Sequence, residues 1–319
     1  MRAIDTCSFV FPTKEILKFI IRAWGIYEGY LNMFAKNIFS ILGMPANQYM
    51  EKISKTPKSE LIEELATLFT RFEVPLDDFV EMLDESGVEK AVHVSEDTET
   101  TTRVKPVSND YIAKITSEYP DKLLAFAGVD PNKGDKAREE AERALTQLEL
   151  NGIALYPFKH ELPPDDEKYY PIYEVAIRYK VPVWFHASVN WNNRISMYIE
   201  HPRHFDNLAS IFPELKIILG HAGWPWVGEA VTVAWRHPNV YIELSAFRPK
   251  YVGKTGSGFE TLIYYGNTVA RDKVLWGSTW LLLGMQHSEI LEEMSKLPIK
   301  PEALESWLYH NARRVLSLK

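Results

Sequence analysis

One cysteine, Cys7, occurs in 319 residues, so no disulfide can form within the chain. No apolar run approaches the roughly 18 residues that a membrane span requires. The longest apolar stretch, ILKFIIRAWGIYEGYLNMF, is interrupted by Lys18, Arg22 and Glu28 and reads as an amphipathic helix. Basic residues are not in excess: 36 Lys and Arg stand against 43 Asp and Glu, a formal net charge of −7. That balance gives no footprint for nucleic acid or an anionic membrane. A glycine-rich dinucleotide or phosphate loop is missing too. The N-terminus runs directly into a strand pattern, without the basic-then-apolar leader of a secreted protein. These absences predict a cytoplasmic protein with no nucleic-acid and no membrane partner.

Hydrophobic residues make up 46% of the chain and charged residues 25%, the profile of a globular protein. Short apolar runs alternate with helical patterns. The runs are RAID, KAVHVS, LLAFAGV, NGIALYP, VPVWFHA, KIILGHAG, NVYIELS and KVLWGST. They are apolar on both faces, as buried parallel strands are. Eight such strand-and-helix units predict an α/β fold, a (β/α)8 TIM barrel, in preference to a doubly wound sheet. One interval is too long for a plain βα unit. Residues 11–89 carry apolar residues at helical spacing, which predicts a helical insertion after strand one within a single domain spanning 1–319. At the C-terminal face of a barrel such a loop caps the pocket, or else its helices pack on the barrel's side.

The segments IDT, DPNKGDKA, YPIYEVAIRYKVPVWFHAS, FPELKIILGHAGWPW, HPNVYIELSA, VLWGSTW and YHNARRVL resemble the amidohydrolase superfamily. The similarity is to the branch that includes aminocarboxymuconate semialdehyde decarboxylase and resorcylate decarboxylases, and it extends along nearly the whole chain. It implies the barrel fold, a homodimer, and a metal site built from His-x-His on strand one, histidines on strands five and six and an aspartate on strand eight. Here FHAS supplies His186 and GHAG supplies His221. Cys7 and Phe9 replace the strand-one pair, and Thr279 replaces the aspartate. Ala154 stands where some members carry a lysine, and Leu281 where proline is common.

A catalytic zinc normally takes three protein ligands. Phe9 and Ala154 cannot ligate, and Thr279 is a poor neutral donor. The departures cluster at the reacting centre and favour apolar residues, as in a pocket rebuilt for a bulky ligand. The pattern is similar to computationally designed cysteine esterases, and a natural metal-free family member is the alternative origin. The expected function is a metal-independent, esterase-like hydrolase with no cofactor. Cys7 is its nucleophile, a histidine from His93, His186 or His221 its base, and Thr279 a candidate oxyanion donor. Phe9, Ala154, Trp184, Trp280 and Leu281 are expected to line a pocket for a small apolar or aromatic ester. No lysine falls at an inward upper strand position, which argues against Schiff-base chemistry.

Two other functions stay open. One is a metal-dependent hydrolase or decarboxylase whose zinc is held by Cys7, His186 and His221. The other is an inactive or binding-only barrel. Each site residue also has a plainer reading: Cys7 as a small buried hydrophobe, His186 and His221 as idle remnants, and His93 as a packed core residue.

Overall fold

Eight parallel strands follow one another in chain order in a single sheet. They are β1 (Ala3–Phe9), β2 (Val88–Val94), β3 (Leu123–Gly128), β4 (Gly152–Leu155), β5 (Pro182–His186), β6 (Lys216–Gly220), β7 (Val240–Leu244) and β8 (Val274–Trp276). This computed structural model describes residues 1–9 and 11–318. The expected (β/α)8 barrel is observed, with all eight apolar runs forming its strands. Burial on both faces explains why they read as continuous apolar runs: every residue of β3, β4, β5 and β8 is buried.

The barrel closes between β1 and β8 through side chains as much as through backbone. The Thr279 N–H donates to the Cys7 carbonyl at 2.9 Å, and the Thr6 hydroxyl donates to the Trp276 carbonyl at 2.8 Å. Asp5 holds the seam. Its Oδ1 accepts the Ser278 N–H at 2.8 Å and the Cys7 N–H at 3.2 Å. Its Oδ2 accepts the Ser278 hydroxyl and meets His287 Nε2 at 3.1 Å. Asp5, Ser278 and His287 are all fully buried. The sheet interior is tight elsewhere as well. A Cβ at Gly220 would lie 2.4 Å from Trp184 Cζ2, so only glycine lets the Trp184 indole cross β6.

The interval between β1 and β2 is helical, as expected. It contains α1 (Lys14–Gly25), α2 (Glu28–Ile41), α3 (Ala46–Lys55), α4 (Lys58–Phe69) and α5 (Leu76–Ser86). Its end differs slightly from the expected boundary at 89, because β2 already begins at Val88. α5 packs against β2 and against the helix His287–Ser295, so it is the barrel's own crossover helix. The true insertion is α1 to α4. Ile16, Leu17, Ile20, Ile21 and Trp24 form the buried stripe of α1 at helical spacing. The α1–α2 corner reaches across the barrel mouth to the loop after β5. There the Trp191 N–H meets the Tyr30 hydroxyl at 3.4 Å. A Cβ at Gly29 would lie 2.3 Å from the Trp191 carbonyl oxygen, so glycine permits this close approach. No helix among the described residues is long and apolar enough to cross a membrane.

Removing the Asp5 carboxylate would leave buried donors from both ends of the seam unpaired. Asp5→Ala should therefore cost about 3 kcal/mol or more, read as a lower urea midpoint with an unchanged m-value.

Candidate active site

His186 ends β5 and His221 follows β6, so adjacent strands deliver both imidazoles to the C-terminal end of the barrel. Their ring centroids are 5.0 Å apart, at an interplanar angle of 72°. Each Nδ1 is engaged by the protein behind it. His221 Nδ1 lies 2.7 Å from Ser245 Oγ, and the Ser245 hydroxyl donates to Glu243 Oε2 at 2.9 Å. Glu243 Oε2 also accepts the Trp184 indole N–H, which puts the carboxyl proton on Oε1; the Ser245 hydroxyl then donates to Oε2 and His221 Nδ1–H is the donor to Ser245. Its Nε2 is left as an acceptor on the cavity side. His186 Nδ1 lies 2.8 Å from Glu200 Oε2, and Glu200 Oε1 accepts the Phe158 N–H at 3.2 Å.

Burial sets the protonation of this group. It lowers His186 to about 3 and His221 well below its ordinary value. The same burial raises Glu200 well above the carboxylate range and raises Glu243 to about 8. Glu200 therefore keeps its proton and offers it to His186 Nδ1. That leaves His186 with its own proton on Nε2. One imidazole thus presents an acceptor and its neighbour a donor.

Cys7 lacks the surroundings of a nucleophile. It is fully buried, and burial followed by the charges of Glu243 and Asp5 pushes its thiol well above the ordinary range. Its hydrogen-bonding neighbour is the Ser245 hydroxyl, which stands between the sulfur and His221. A Cβ at Gly277 would lie 2.7 Å from Cys7 Cβ and 2.4 Å from Glu243 Oε1, so thiol and carboxyl share one crowded floor. This corrects the expectation of a thiol–imidazole dyad and supports the plainer reading of Cys7.

His93 is likewise a packed residue. Its ring lies 5.1 Å from that of Phe11, burial lowers it to about 3, and its Nδ1 has no partner among the described residues. Thr279 faces away from the cavity as a connector: its Oγ1 accepts the Ala246 N–H at 2.8 Å.

A cavity of about 270 Å³ lies over the two imidazoles. Phe9 lines it, together with Trp24 and Phe34 from the insertion and with Trp224, Phe247 and Leu283 from the barrel loops. Among the described residues, no lysine or arginine is on its walls. Leu281 lines an adjoining groove of about 320 Å³ instead. Trp184 and Ala154 lie below the floor, where the Trp184 indole N–H donates to Glu243 Oε2 at 3.2 Å. Trp280 turns outward and stacks on Phe79 of α5, with ring centroids 5.7 Å apart.

The sequence reading missed a buried ion pair. Lys159 Nζ donates to both oxygens of Glu96, at 2.6 and 2.7 Å, and lies 3.6 Å from the Trp24 ring centroid. Lys159 follows β4 through a turn rather than sitting in the strand, so strand alternation could not place it. Burial lowers it to about 8, and its charge in turn helps keep His186 neutral. Glu200, Glu243 and Ser245 were also missed. Only Glu243, a lone charge inside YIEL, carried a signal.

The sequence model described as Amidohydrolase matches residues 71–318. Among curated proteins, gamma-resorcylate decarboxylase from Rhizobium sp. (strain MTP-10005) is 24% identical over 261 residues, 66% of this chain and 77% of the relative. The solved structure of the uncharacterized TIM-barrel protein Bb4693 from Bordetella bronchiseptica matches with a TM-score of 0.71 at 24% identity, over 99% of both chains. A 5-carboxyvanillate decarboxylase from Novosphingobium aromaticivorans DSM 12444, solved with manganese and 4-hydroxy-3-methoxy-5-nitrobenzoic acid, matches with a TM-score of 0.63 at 18% identity, over 99% of this chain and 96% of that one. At such identities the structural likeness is one of fold. The reading of a redesigned pocket gains no support from these matches.

The manganese of that neighbour sets a question that the donors here answer. Among the described residues, no three His, Cys, Asp or Glu side chains stand together to hold a metal ion. His186 and His221 supply two nitrogens, whereas a catalytic divalent ion takes three protein ligands. Phe9 contributes none, and Cys7 lies behind Ser245. The Cys7–His186–His221 zinc set is therefore not assembled.

Three substitutions test this electrostatic arrangement. Glu243 titrates near 4.5 when unfolded and at about 8 when folded. Its contribution to stability is therefore fully present below 4.5 and is lost as pH rises through 8. Relative to Glu243→Gln, the parent should lose up to about 1.4 kcal/mol per pH unit across that window, read from denaturant midpoints at several pH values. Lys159→Met should cost about 3–5 kcal/mol by stranding Glu96, while adding Glu96→Leu should recover most of the loss.

Proposed function

Because the chain belongs to the amidohydrolase family, we propose that it is a metal-independent hydrolase of small, neutral, largely aromatic esters or lactones, with His221 and His186 as its base and acid. The observation that supports this reading is the opposed hydrogen bonding of the two imidazoles beneath an apolar cavity. His221 Nε2 takes a proton from water as its oxygen attacks the carbonyl carbon. The Ser245–Glu243 chain holds the ring in the required tautomer, and the His221 imidazolium keeps the proton until the site resets. His186 Nε2–H gives its proton to the departing oxygen, and the ring stays neutral by accepting the Glu200 proton at Nδ1. Transfer of the proton from His221 to the His186–Glu200 pair resets the site. Apolar walls exclude competing water and favour a neutral reactant.

The decarboxylase relative favours a second reading, loss of CO2 from a hydroxybenzoate with His186 protonating the ring carbon. A carboxylate would find no cationic partner on the walls of this cavity, which weighs against it.

The test is an assay of aryl acetates, aromatic lactones and dihydroxybenzoates with and without chelator. Ester or lactone hydrolysis should survive chelation. His221→Gln and His186→Gln should each lower kcat/KM by roughly 10²–10⁴, and Cys7→Ala should leave it largely intact. Loss of activity on chelation, or in Cys7→Ala, would overturn the reading. Release of CO2 without hydrolysis would replace it with the second.

A further inference from the structure

A second space adjoins the cavity over the imidazoles. Trp224, Ala246, Phe247 and Leu283 line the cavity, and the same four residues line the second, more open space of about 580 Å³. These four residues therefore form the common boundary, here called the threshold, between an inner and an outer compartment. The chemistry changes across it. Inside, the walls are apolar apart from the imidazoles and a few neutral polar groups. Outside, Arg248, Tyr251 and Lys254 join the wall, with the turn Thr255–Ser257 beside them. The Trp224 indole N–H donates to the Ser257 carbonyl at 3.3 Å, which ties that turn to the threshold.

The outer cations differ in availability. Arg248 is committed to the carboxylate of Glu293, which its Nε also meets at 3.3 Å. Lys254 is exposed and, among the described residues, has no carboxylate partner. Its ammonium stands 5.3 Å from the Tyr251 ring centroid, and that of Lys250 stands 4.9 Å from the same ring. In a chain of net charge −7, Lys254 thus places an exposed positive charge beside the outer space, while the Glu260 carboxylate accepts the Gly256 N–H on the same turn. Such a placement draws anions toward the mouth.

We propose that the outer space is a second subsite, which receives the carboxylate tail of a substrate whose neutral, apolar reacting end occupies the inner cavity. The proposal rests on the reading of the inner cavity given above and narrows the substrate class to esters or lactones with an acidic extension. Lys254 is its specificity-determining residue. The apolar threshold separates the tail's charge from the reacting carbonyl.

The probes are 4-phenylbutyrate and its neutral counterpart 4-phenylbutanol, with Kd measured by calorimetry at low and high salt for the parent, Lys254→Gln and Lys254→Glu. Lys254 is solvent-exposed, and thermal melts confirm that the variants remain folded. At low salt the parent should bind the acid roughly three- to fivefold more tightly than the alcohol, the scale of one exposed ion pair, and added salt should erase the preference. Lys254→Gln should level the two affinities, and Lys254→Glu should favour the alcohol. Equal binding of acid and alcohol by the parent, or a preference for the acid that survives in Lys254→Glu, would overturn the subsite while leaving the inner-cavity reading in place. If neither probe binds, the inner-cavity reading falls and the subsite with it.

Discussion

Burial at the upper end of this barrel obliges each polar side chain to find a protein partner, because an unpaired buried polar group costs roughly 1–3 kcal/mol. The site follows from that constraint. Glu200 and Glu243 do not act as free carboxylates. Burial keeps them protonated, and they serve as fixed points behind His186 and His221. Glu96 and Lys159 satisfy each other in the same way, and Asp5 gathers the donors along the β1–β8 seam. Where pairing is incomplete, as at Glu243 Oε1 and His93 Nδ1, the group is held neutral instead.

The insertion turns this polar floor into a site. Without α1 and α2 the imidazoles would face open solvent, where water competes for every hydrogen bond. Trp24 is the pivotal contact. It covers Lys159, packs edge-on against Tyr30 and lies 6.2 Å from the His186 ring. A single aromatic side chain therefore sequesters the buried cation and walls the cavity.

Much of the fold was legible because strand and helix periods are local properties of the chain. The runs from LLAFAGV to KVLWGST contain the observed strands, KAVHVS covers most of β2, and the residues between β1 and β2 are helical as their periodicity requires. His186, His221 and Phe9 line the cavity, since each ends a strand or follows one directly. Trp280 was misplaced. The backbone turns left-handed at Thr279 (φ 41°) and swings the indole onto Phe79, which strand alternation cannot anticipate.

The sequence by itself determined the barrel, the helical insertion and the change of donor set from two histidines and an aspartate to Cys7, Phe9 and Thr279. Those are matters of residue identity and period. Only the tertiary structure decided what Cys7 does, because a thiol's reactivity depends on its neighbours, and those neighbours are Ser245, Glu243 and Asp5 rather than an imidazole. The partners of the two histidines were decided in the same way. Glu200 comes from a turn beyond β5 and Glu243 from β7. Barrel closure brings them to His186 and His221, and burial then fixes which nitrogen holds the proton.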